Sequence, residues 1–343
     1  MLKKIAMTLL LAAIALGLTI SCVAPKPPGF SAGAGAALVW PPAPDEARIA
    51  YVGSISSPAD IGLSPSGFKR AMNFLTGTAP ERHRFIKPLG IALDESGNLC
   101  VTDTGNNTVS YLDLKKKTWR HWEAVGKTRF AAPVSIARKT GIFYVADSEL
   151  GKVFVFGEDG REVLTISKPL QRPVGLAISG ESLAVVDSQT HAVFVFDLRG
   201  ALQFQFGQRG GAPGEFNFPT HIATDGAGHW LVTDSLNSRV QVFDAQGKFL
   251  SQIGSGGDAP GHFGRPKGVA ADSAGHIYVL DAVFDTMQVF DLSGQFLLTL
   301  GSGGAKPGEF ALPSGIAIGT SNHIYVADSY NQRVQIFKYV GPL

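Results

Sequence analysis

Six aspartates recur at a nearly constant spacing through the chain. Each ends a V-x-D motif, and successive intervals are 44, 40, 47, 47 and 47 residues. Carboxylates in such a series could bind a cation or accept hydrogen bonds from backbone N–H groups and nearby arginines. Because a residue present in every unit of a repeat usually does the same task each time, we interpret them as structural hydrogen-bond acceptors. They are Asp103, Asp147, Asp187, Asp234, Asp281 and Asp328.

A histidine interrupts the repeat at one position. The third residue of the motif that opens each unit is glycine or serine in five units and His221 in the fourth. An imidazole there could bind a metal, transfer protons or simply line a channel. A catalytic zinc generally needs three protein ligands, and only this opening motif carries a histidine. We therefore expect no cofactor, and keep zinc or calcium at His221 as the less favoured alternative.

Four strands per unit would position these residues. Each unit opens with a proline and a short apolar stretch such as SGIAI, followed by a turn that is often D-x-x-G. Segments such as HIYVAD and RVQIF then alternate with period two, and a hairpin such as DLSG leads to a fourth strand. Four strands in 40–47 residues predict the blade of a β-propeller, and the six units predict an all-β protein with six antiparallel blades.

The last unit contains only three predicted strands. The segment RIAYVGSIS, residues 48–56, has the strand pattern and precedes the first unit. We expect it to supply the missing fourth strand, so that an N-terminal clasp strand closes the ring and leaves no open sheet edge.

The unit pattern P-x-G-[IV]-A…[IV]-Y-V-x-D-x-x-N-x-R-V-Q-x-F resembles the NHL repeat over about residues 85–340. Units four to six match it most fully, through Asn237, Arg239, Asn331 and Arg333. The resemblance implies kinship with peptidyl-amidating lyases, which hold zinc with histidines from several inner strands, and with gluconolactonase-like propellers, which hold a divalent ion. Neither ligand set is found at the matching inner positions, so we favour a non-enzymatic role.

The N-terminal residues are predicted to lie outside the fold. Lys3 and Lys4 precede an apolar run that ends in LTISC, which resembles a bacterial lipobox. We interpret residues 1–21 as a lipoprotein signal peptide, Cys22 as the lipidated residue and 22–46 as a Pro/Gly/Ala-rich tether. The propeller is expected over 47–343, with a short helix inserted at about 64–77. Valine after Cys22 favours the outer membrane, with the domain facing the periplasm.

Charge argues against a nucleic-acid partner. The chain has 30 Lys and Arg and 28 Asp and Glu, and removal of the two lysines in residues 1–21 leaves 28 of each. A neutral exported protein has no general attraction for a polyanion, so we expect no nucleic acid. Cys100 would be the one thiol left after lipidation, which excludes an intramolecular disulfide.

The loop after strand two and the junction before strand one open on the same end of every blade, which we call the ligand face. The candidates expected there are His221, Arg172, Arg239, Lys267 and Arg333. We therefore predict a lipid-anchored binding or scaffolding propeller that docks a protein, peptide or glycan of the cell envelope. A metal-dependent lyase or lactonase-like enzyme with its site around His221 is the alternative.

Overall fold

The computed structural model describes residues 38–63, 84–319 and 321–341. Within these residues the chain forms six antiparallel sheets of four or five strands and one two-stranded hairpin, and the innermost strand of each larger sheet contacts the innermost strands of both neighbouring larger sheets. The sheets therefore form a closed ring around a central channel, and the predicted six-bladed all-β fold is confirmed. The signal peptide expected at 1–21 and the helix expected at about 64–77 lie outside the described residues.

The strands follow the predicted units. Before the first blade come β1 (Val39–Trp40) and β2 (Ile49–Ile55). Blade one contains β3 (Pro88–Leu93), β4 (Leu99–Asp103), β5 (Thr108–Asp113) and β6 (Thr118–Trp122), and is followed by the small hairpin β7 (Ala124–Val125) and β8 (Thr128–Arg129). Blade two contains β9 (Pro133–Lys139), β10 (Ile142–Asp147), β11 (Lys152–Gly157) and β12 (Glu162–Ile166). Blade three contains β13 (Pro173–Ser179), β14 (Ser182–Asp187), β15 (Ala192–Asp197) and β16 (Leu202–Phe206).

The second half of the ring repeats this plan. Blade four contains β17 (Pro219–Thr224), β18 (Trp230–Asp234), β19 (Arg239–Phe243) and β20 (Phe249–Ile253). Blade five contains β21 (Pro266–Ala271), β22 (Ile277–Asp281), β23 (Thr286–Phe290) and β24 (Phe296–Leu300). Blade six contains β25 (Pro313–Ile318), β26 (His323–Asp328) and β27 (Arg333–Tyr339). Two short 3-10 helices span Pro58–Ile61 and Ser235–Asn237.

The N-terminal clasp completes blade six. Strand β2 pairs antiparallel with β27, with Ile49 opposite Tyr339 and Ile55 opposite Val334. Ile49 and Ile55 are fully buried. Because this pairing joins the first strand of the fold to the last, it also satisfies the backbone groups that an open edge would expose.

The described structure includes the nine residues before the predicted boundary at 47. Strand β1 adds a fifth strand to blade six by pairing with β2, with Trp40 opposite Ile49. The Trp40 ring lies edge-on to Phe337, with 5.8 Å between centroids. It also lies against Gly308, where an added Cβ would come within 2.6 Å of the indole. The predicted tether 22–46 is therefore too long at its C-terminal end, because one aromatic side chain secures an otherwise Pro- and Ala-rich segment.

The core lies between adjacent blades. Val186 and Val193 of blade three form one buried cluster with Ile222, Trp230 and Val232 of blade four, and similar clusters fill the other blade interfaces. Full burial of such side chains stabilises the fold by about 1.5–3 kcal/mol each. Each sheet thus carries apolar residues on both faces.

Phenylalanines from the glycine-rich junctions complete three of these interfaces. Phe216, Phe263 and Phe310 are fully buried. Each packs on a glycine with positive φ at the end of the preceding outer strand, and a Cβ at Gly207 would come within 2.3 Å of Phe216. The junctions are therefore held down on the ligand face by their aromatic residue.

Candidate ligand-binding site

The repeated aspartates build the ligand face. In blade one the Asp103 carboxylate accepts hydrogen bonds from the backbone N–H groups of Ile86 (2.8 Å) and Lys87 (2.9 Å), which precede strand one. It also accepts from Gly105 (2.9 Å) and Asn106 (3.1 Å), in the loop after strand two. All six aspartates are fully buried. Each carboxylate joins the two chain segments that form the ligand face in its blade, and hydrogen bonds donated to a charged acceptor contribute about 1.5–3 kcal/mol each.

Arg239 lies inside its blade, with 7% of its surface exposed. Its Nε donates to Asp234 Oδ2 at 2.9 Å, and Nη2 donates to the carbonyl oxygens of Ala212 (2.9 Å) and Glu215 (3.0 Å) in the glycine-rich junction. Its Nη1 donates to Gln252 Oε1 at 3.0 Å. The guanidinium therefore has its donors committed to protein acceptors.

Arg333 repeats this arrangement in blade six, with 9% of its surface exposed. Its Nε donates to Asp328 Oδ2 at 2.7 Å, and its Nη groups donate to carbonyl oxygens of Ala305, Lys306 and Glu309. Arg239 and Arg333 therefore lie beneath the ligand-face junctions, with their guanidinium groups bonded to protein acceptors, and a direct role in ligand binding stays a prediction. The physical reason is that the PGEF junctions fold back over both side chains, so that the arginines hold the junctions rather than face solvent.

A cavity of about 400 Å³ opens at the channel mouth on the ligand face. We call this space the mouth cavity. In all six blades, the residue that follows the opening proline lines it. These residues are Leu89, Val134, Val174, Thr220, Lys267 and Ser314. The inner strands therefore bring residues separated by up to 225 positions to one ring.

Three cations lie together at the mouth cavity: Lys87, Arg265 and Lys267. Within residues 38–63, 84–319 and 321–341, no acidic side chain lines it and none of the three cations forms an ion pair with a carboxylate. Burial first, and then the charges of Arg265 and Lys87, lower the pKa of Lys267. The Lys87 Nζ lies 5.4 Å from the centroid of the Tyr330 ring.

Sequence reasoning placed some of these residues and missed another. Lys267 was expected on the ligand face and lines the mouth cavity, whereas Arg172 does not line it. Lys87 was not among the predicted site residues. The available signal was its position directly before an opening proline, which it shares with Arg172 and Arg265.

His221 stands where two cavities of the channel meet. It lines the mouth cavity and also a second cavity of about 250 Å³, which the second halves of the inner strands surround and which we call the lower cavity. It is the one residue common to both linings. Burial lowers the pKa of His221 to about 4, so the imidazole is neutral at pH 7. A neutral ring can donate one hydrogen bond and accept another without adding to the positive charge above it.

The glycines at the equivalent position explain why His221 is exceptional. A Cβ at Gly90 would lie 2.7 Å from the Val134 carbonyl oxygen, and one at Gly315 would lie 2.1 Å from that of Leu89. Neighbouring inner strands therefore approach too closely for a side chain in these blades. Side chains stand at this level only in blades two and four, as Ser135 and His221.

No group of three or more His, Cys, Asp and Glu side chains in the described part of the chain could hold a metal ion. His221 makes no hydrogen bond to a protonatable neighbour there that would form a catalytic pair. Across the same residues, no helix is long and apolar enough to cross a membrane.

Comparison with known families defines the class of protein. The NHL repeat model matches residues 85–110 and 310–337, and a family described as a 6-bladed beta-propeller matches residues 223–287. Together with the six closed blades, these matches show that the chain is a six-bladed propeller containing NHL repeats.

Solved structures with this fold include two lyases. Virginiamycin B lyase from Staphylococcus aureus is 13% identical, with a TM-score of 0.57 over 75% of this chain and 97% of that chain. A streptogramin B lyase is 14% identical, with a TM-score of 0.55 over 75% and 94%. A Bacteroides thetaiotaomicron VPI-5482 protein of unknown function is 16% identical, with a TM-score of 0.56 over 74% and 70%. At these identities the similarity shows the fold alone.

Proposed function

We propose that the chain is a binding propeller that docks a protein partner on its ligand face. The observation that carries this proposal is the distribution of exposed apolar side chains. Large apolar residues exposed to between 36% and 60% surround the channel mouth, in the loops after strand two and the junctions before strand one. They are Ile86, Phe218, Leu236, Val283, Phe284, Leu312 and Tyr330.

These positions come from four blades that are consecutive around the ring, blades four, five, six and one. Apolar side chains gathered on one face of a soluble domain commonly mark an interaction surface, and aromatic residues are enriched in such surfaces. Aliphatic residues such as Leu236 and Val283 favour a protein surface over a glycan, which offers mainly hydroxyl groups.

The sequence supports an envelope location for this interaction. The LTISC motif favours lipidation at Cys22, and the residue after it favours the outer membrane facing the periplasm. A lipid-anchored propeller would then present the ligand face to envelope proteins as a binding or scaffolding module. In this proposal the chemistry of binding is apolar contact around a cationic centre, with no covalent step.

Crosslinking in intact cells followed by purification of the chain tests the proposal. The double variant Val283→Ser/Tyr330→Ser changes two residues that are 58% and 60% exposed. We expect it to lose the crosslinked partner while keeping the free energy of unfolding within about 0.5 kcal/mol of the original chain, as is usual for surface changes. The matched control is Leu202→Ser/Leu250→Ser, which changes two outer-strand residues that are each 46% exposed.

Retention of the partner by the ligand-face variant, or equal loss in the outer-strand control, would contradict the proposal. Elemental analysis of the same purified chain tests the metal-dependent alternative. About one zinc or calcium ion per chain, lost in His221→Ala, would support a lyase or lactonase-like activity instead.

A further inference from the structure

We infer that the mouth cavity binds an organic anion, a carboxylate or phosphate group joined to an apolar body of small-molecule size. This inference rests on the proposal that the ligand face is the binding face, and it adds the chemistry of a ligand at its centre. The cavity volume of about 400 Å³ lies within the range of about 300–1,000 Å³ found for small-ligand pockets.

The charged side chains that line the cavity all carry positive charge. Among the residues that the structure describes, Lys87, Arg265 and Lys267 line it and no carboxylate does. Their mutual repulsion is unfavourable without an anion, and it contributes to the lowered pKa of Lys267. An anionic group placed among the three would reduce this repulsion and would gain charge-assisted hydrogen bonds.

Two carboxylates of blade five already accept hydrogen bonds from backbone N–H groups. Asp281, in the same blade as Arg265, is fully buried and accepts the backbone N–H groups of Gly264 (2.7 Å) and Val283 (2.9 Å). Asp285 accepts the backbone N–H of Leu312 at 2.7 Å. Among the described residues, neither of these carboxylates forms an ion pair with Arg265 or Lys267.

The opposite wall of the mouth cavity is apolar. Val134 and Val174 line it from blades two and three, whereas Arg265 and Lys267 belong to blade five and Lys87 directly precedes the first strand of blade one. A ligand with its anionic group toward blade five and an apolar body toward blades two and three would match both walls. His221 lies at the bottom of the cavity, where its neutral imidazole can hydrogen-bond a polar atom or pack against the apolar body.

Isothermal titration calorimetry on the purified full chain tests the inference with four probes. Octanoate and octyl phosphate carry both features, octanol lacks the charge, and inorganic phosphate lacks the apolar body. We expect octanoate, octyl phosphate or both to bind at least tenfold more tightly than octanol and inorganic phosphate. The tighter of the two anionic amphiphiles identifies the preferred head group.

Substitution of one cation locates the site. Lys267→Met keeps the apolar stem and removes the charge, and we expect it to weaken binding of the anionic amphiphile about tenfold. Lys248→Met is the matched control, because Lys248 is exposed in a hairpin and does not line the mouth cavity. Equal effects of the two variants, or binding of the amphiphiles no tighter than that of octanol, would overturn the inference.

The two proposals fail separately. Partner crosslinking retained in a chain that binds none of the anionic probes would overturn the inference and leave the docking surface standing. The opposite result is that the original chain binds the anionic probes while the Val283→Ser/Tyr330→Ser variant still crosslinks its partner. It would overturn the proposed docking surface alone.

Discussion

The properties of His221 come from its depth in the channel. Its imidazole is surrounded by the inner strands at the level where the mouth and lower cavities meet, and burial lowers its pKa to about 4. Because His221 is only partly exposed, a charged imidazolium would lose part of its hydration there, whereas the neutral ring costs little. The single histidine of the inner ring is therefore a neutral hydrogen-bonding group beneath three cations.

This lowered pKa predicts a pH dependence of stability. Between pH 6.5 and pH 4 the unfolded chain protonates at this histidine and the folded chain does not, so protons stabilise the unfolded state. The stability contributed by the neutral His221 is present above pH 6.5 and is lost as the pH falls toward 4, by up to about 3 kcal/mol. Denaturant unfolding at pH 6.5 and pH 4 measures it.

His221→Gln should show a smaller loss of stability over this interval than the original chain. His262→Gln is the control, because that histidine lies in a junction outside the linings of both cavities. The same pH dependence in the original chain and in His221→Gln would show that the imidazole does not cause it.

At the level of elements, the clasp strand determines whether the ring is closed. Ile55 is fully buried and clusters with Phe85, Leu99 and Val334, so one end of β2 packs between blade six and blade one. Loss of this packing would weaken both the β2–β27 pairing and the contact between the first and last blades.

We expect Ile55→Ala to lower the free energy of unfolding by about 2–4 kcal/mol, from lost burial and the cavity left behind. Leu202→Ala, at a residue 46% exposed on an outer strand, should change it by no more than about 0.5 kcal/mol. Guanidinium unfolding followed by tryptophan fluorescence compares the two. A change at Ile55 as small as that at Leu202 would mean that the clasp contributes little to stability.

The elements differ in how far the sequence determines them. The blades and the clasp follow from period-two alternation, the 40–47-residue unit and the missing last strand, all of which are local patterns. Strand β1 was missed because Val39 and Trp40 lie among Pro, Gly and Ala, and its order depends on Phe337 at the other end of the fold. The burial of Arg239 could not be predicted, because the sequence does not show that Ala212 and Glu215 turn their carbonyl oxygens toward it.

The mouth cavity shows the same limit. A single basic residue before a proline, such as Lys87, carries no signal by itself. Its proximity to Arg265 and Lys267, about 180 residues later in the chain, arises only when the ring closes. Three cations around one cavity are therefore a property of the propeller rather than of any one repeat.

For the whole molecule, the position of β1 determines on which side of the propeller the proposed lipid anchor would be attached. Strand β1 is the outermost strand of blade six, in a sheet with the order β1-β2-β27-β26-β25. The chain therefore enters the fold at the outer rim of the ring, away from the mouth cavity on the inner strands. An anchor at Cys22 would be separated from Leu38 by 15 residues, which can span at most about 50 Å. Because Trp40 and Leu38 lie against Gly308 of a ligand-face junction, the anchor would approach from the outer edge of that face.

The anchor itself is a prediction of the N-terminal sequence. Cells grown with radiolabelled palmitate should incorporate label into the chain, and Cys22→Ala should abolish both the label and the recovery of the chain with membranes. Cys100→Ala is the matched control, because Cys100 is fully buried and burial raises the pKa of its thiol, so that it stays protonated and shielded. Two results would show that lipid at this cysteine does not hold the propeller at the envelope. One is label that persists in Cys22→Ala, and the other is an unlabelled Cys22→Ala chain that still sediments with membranes.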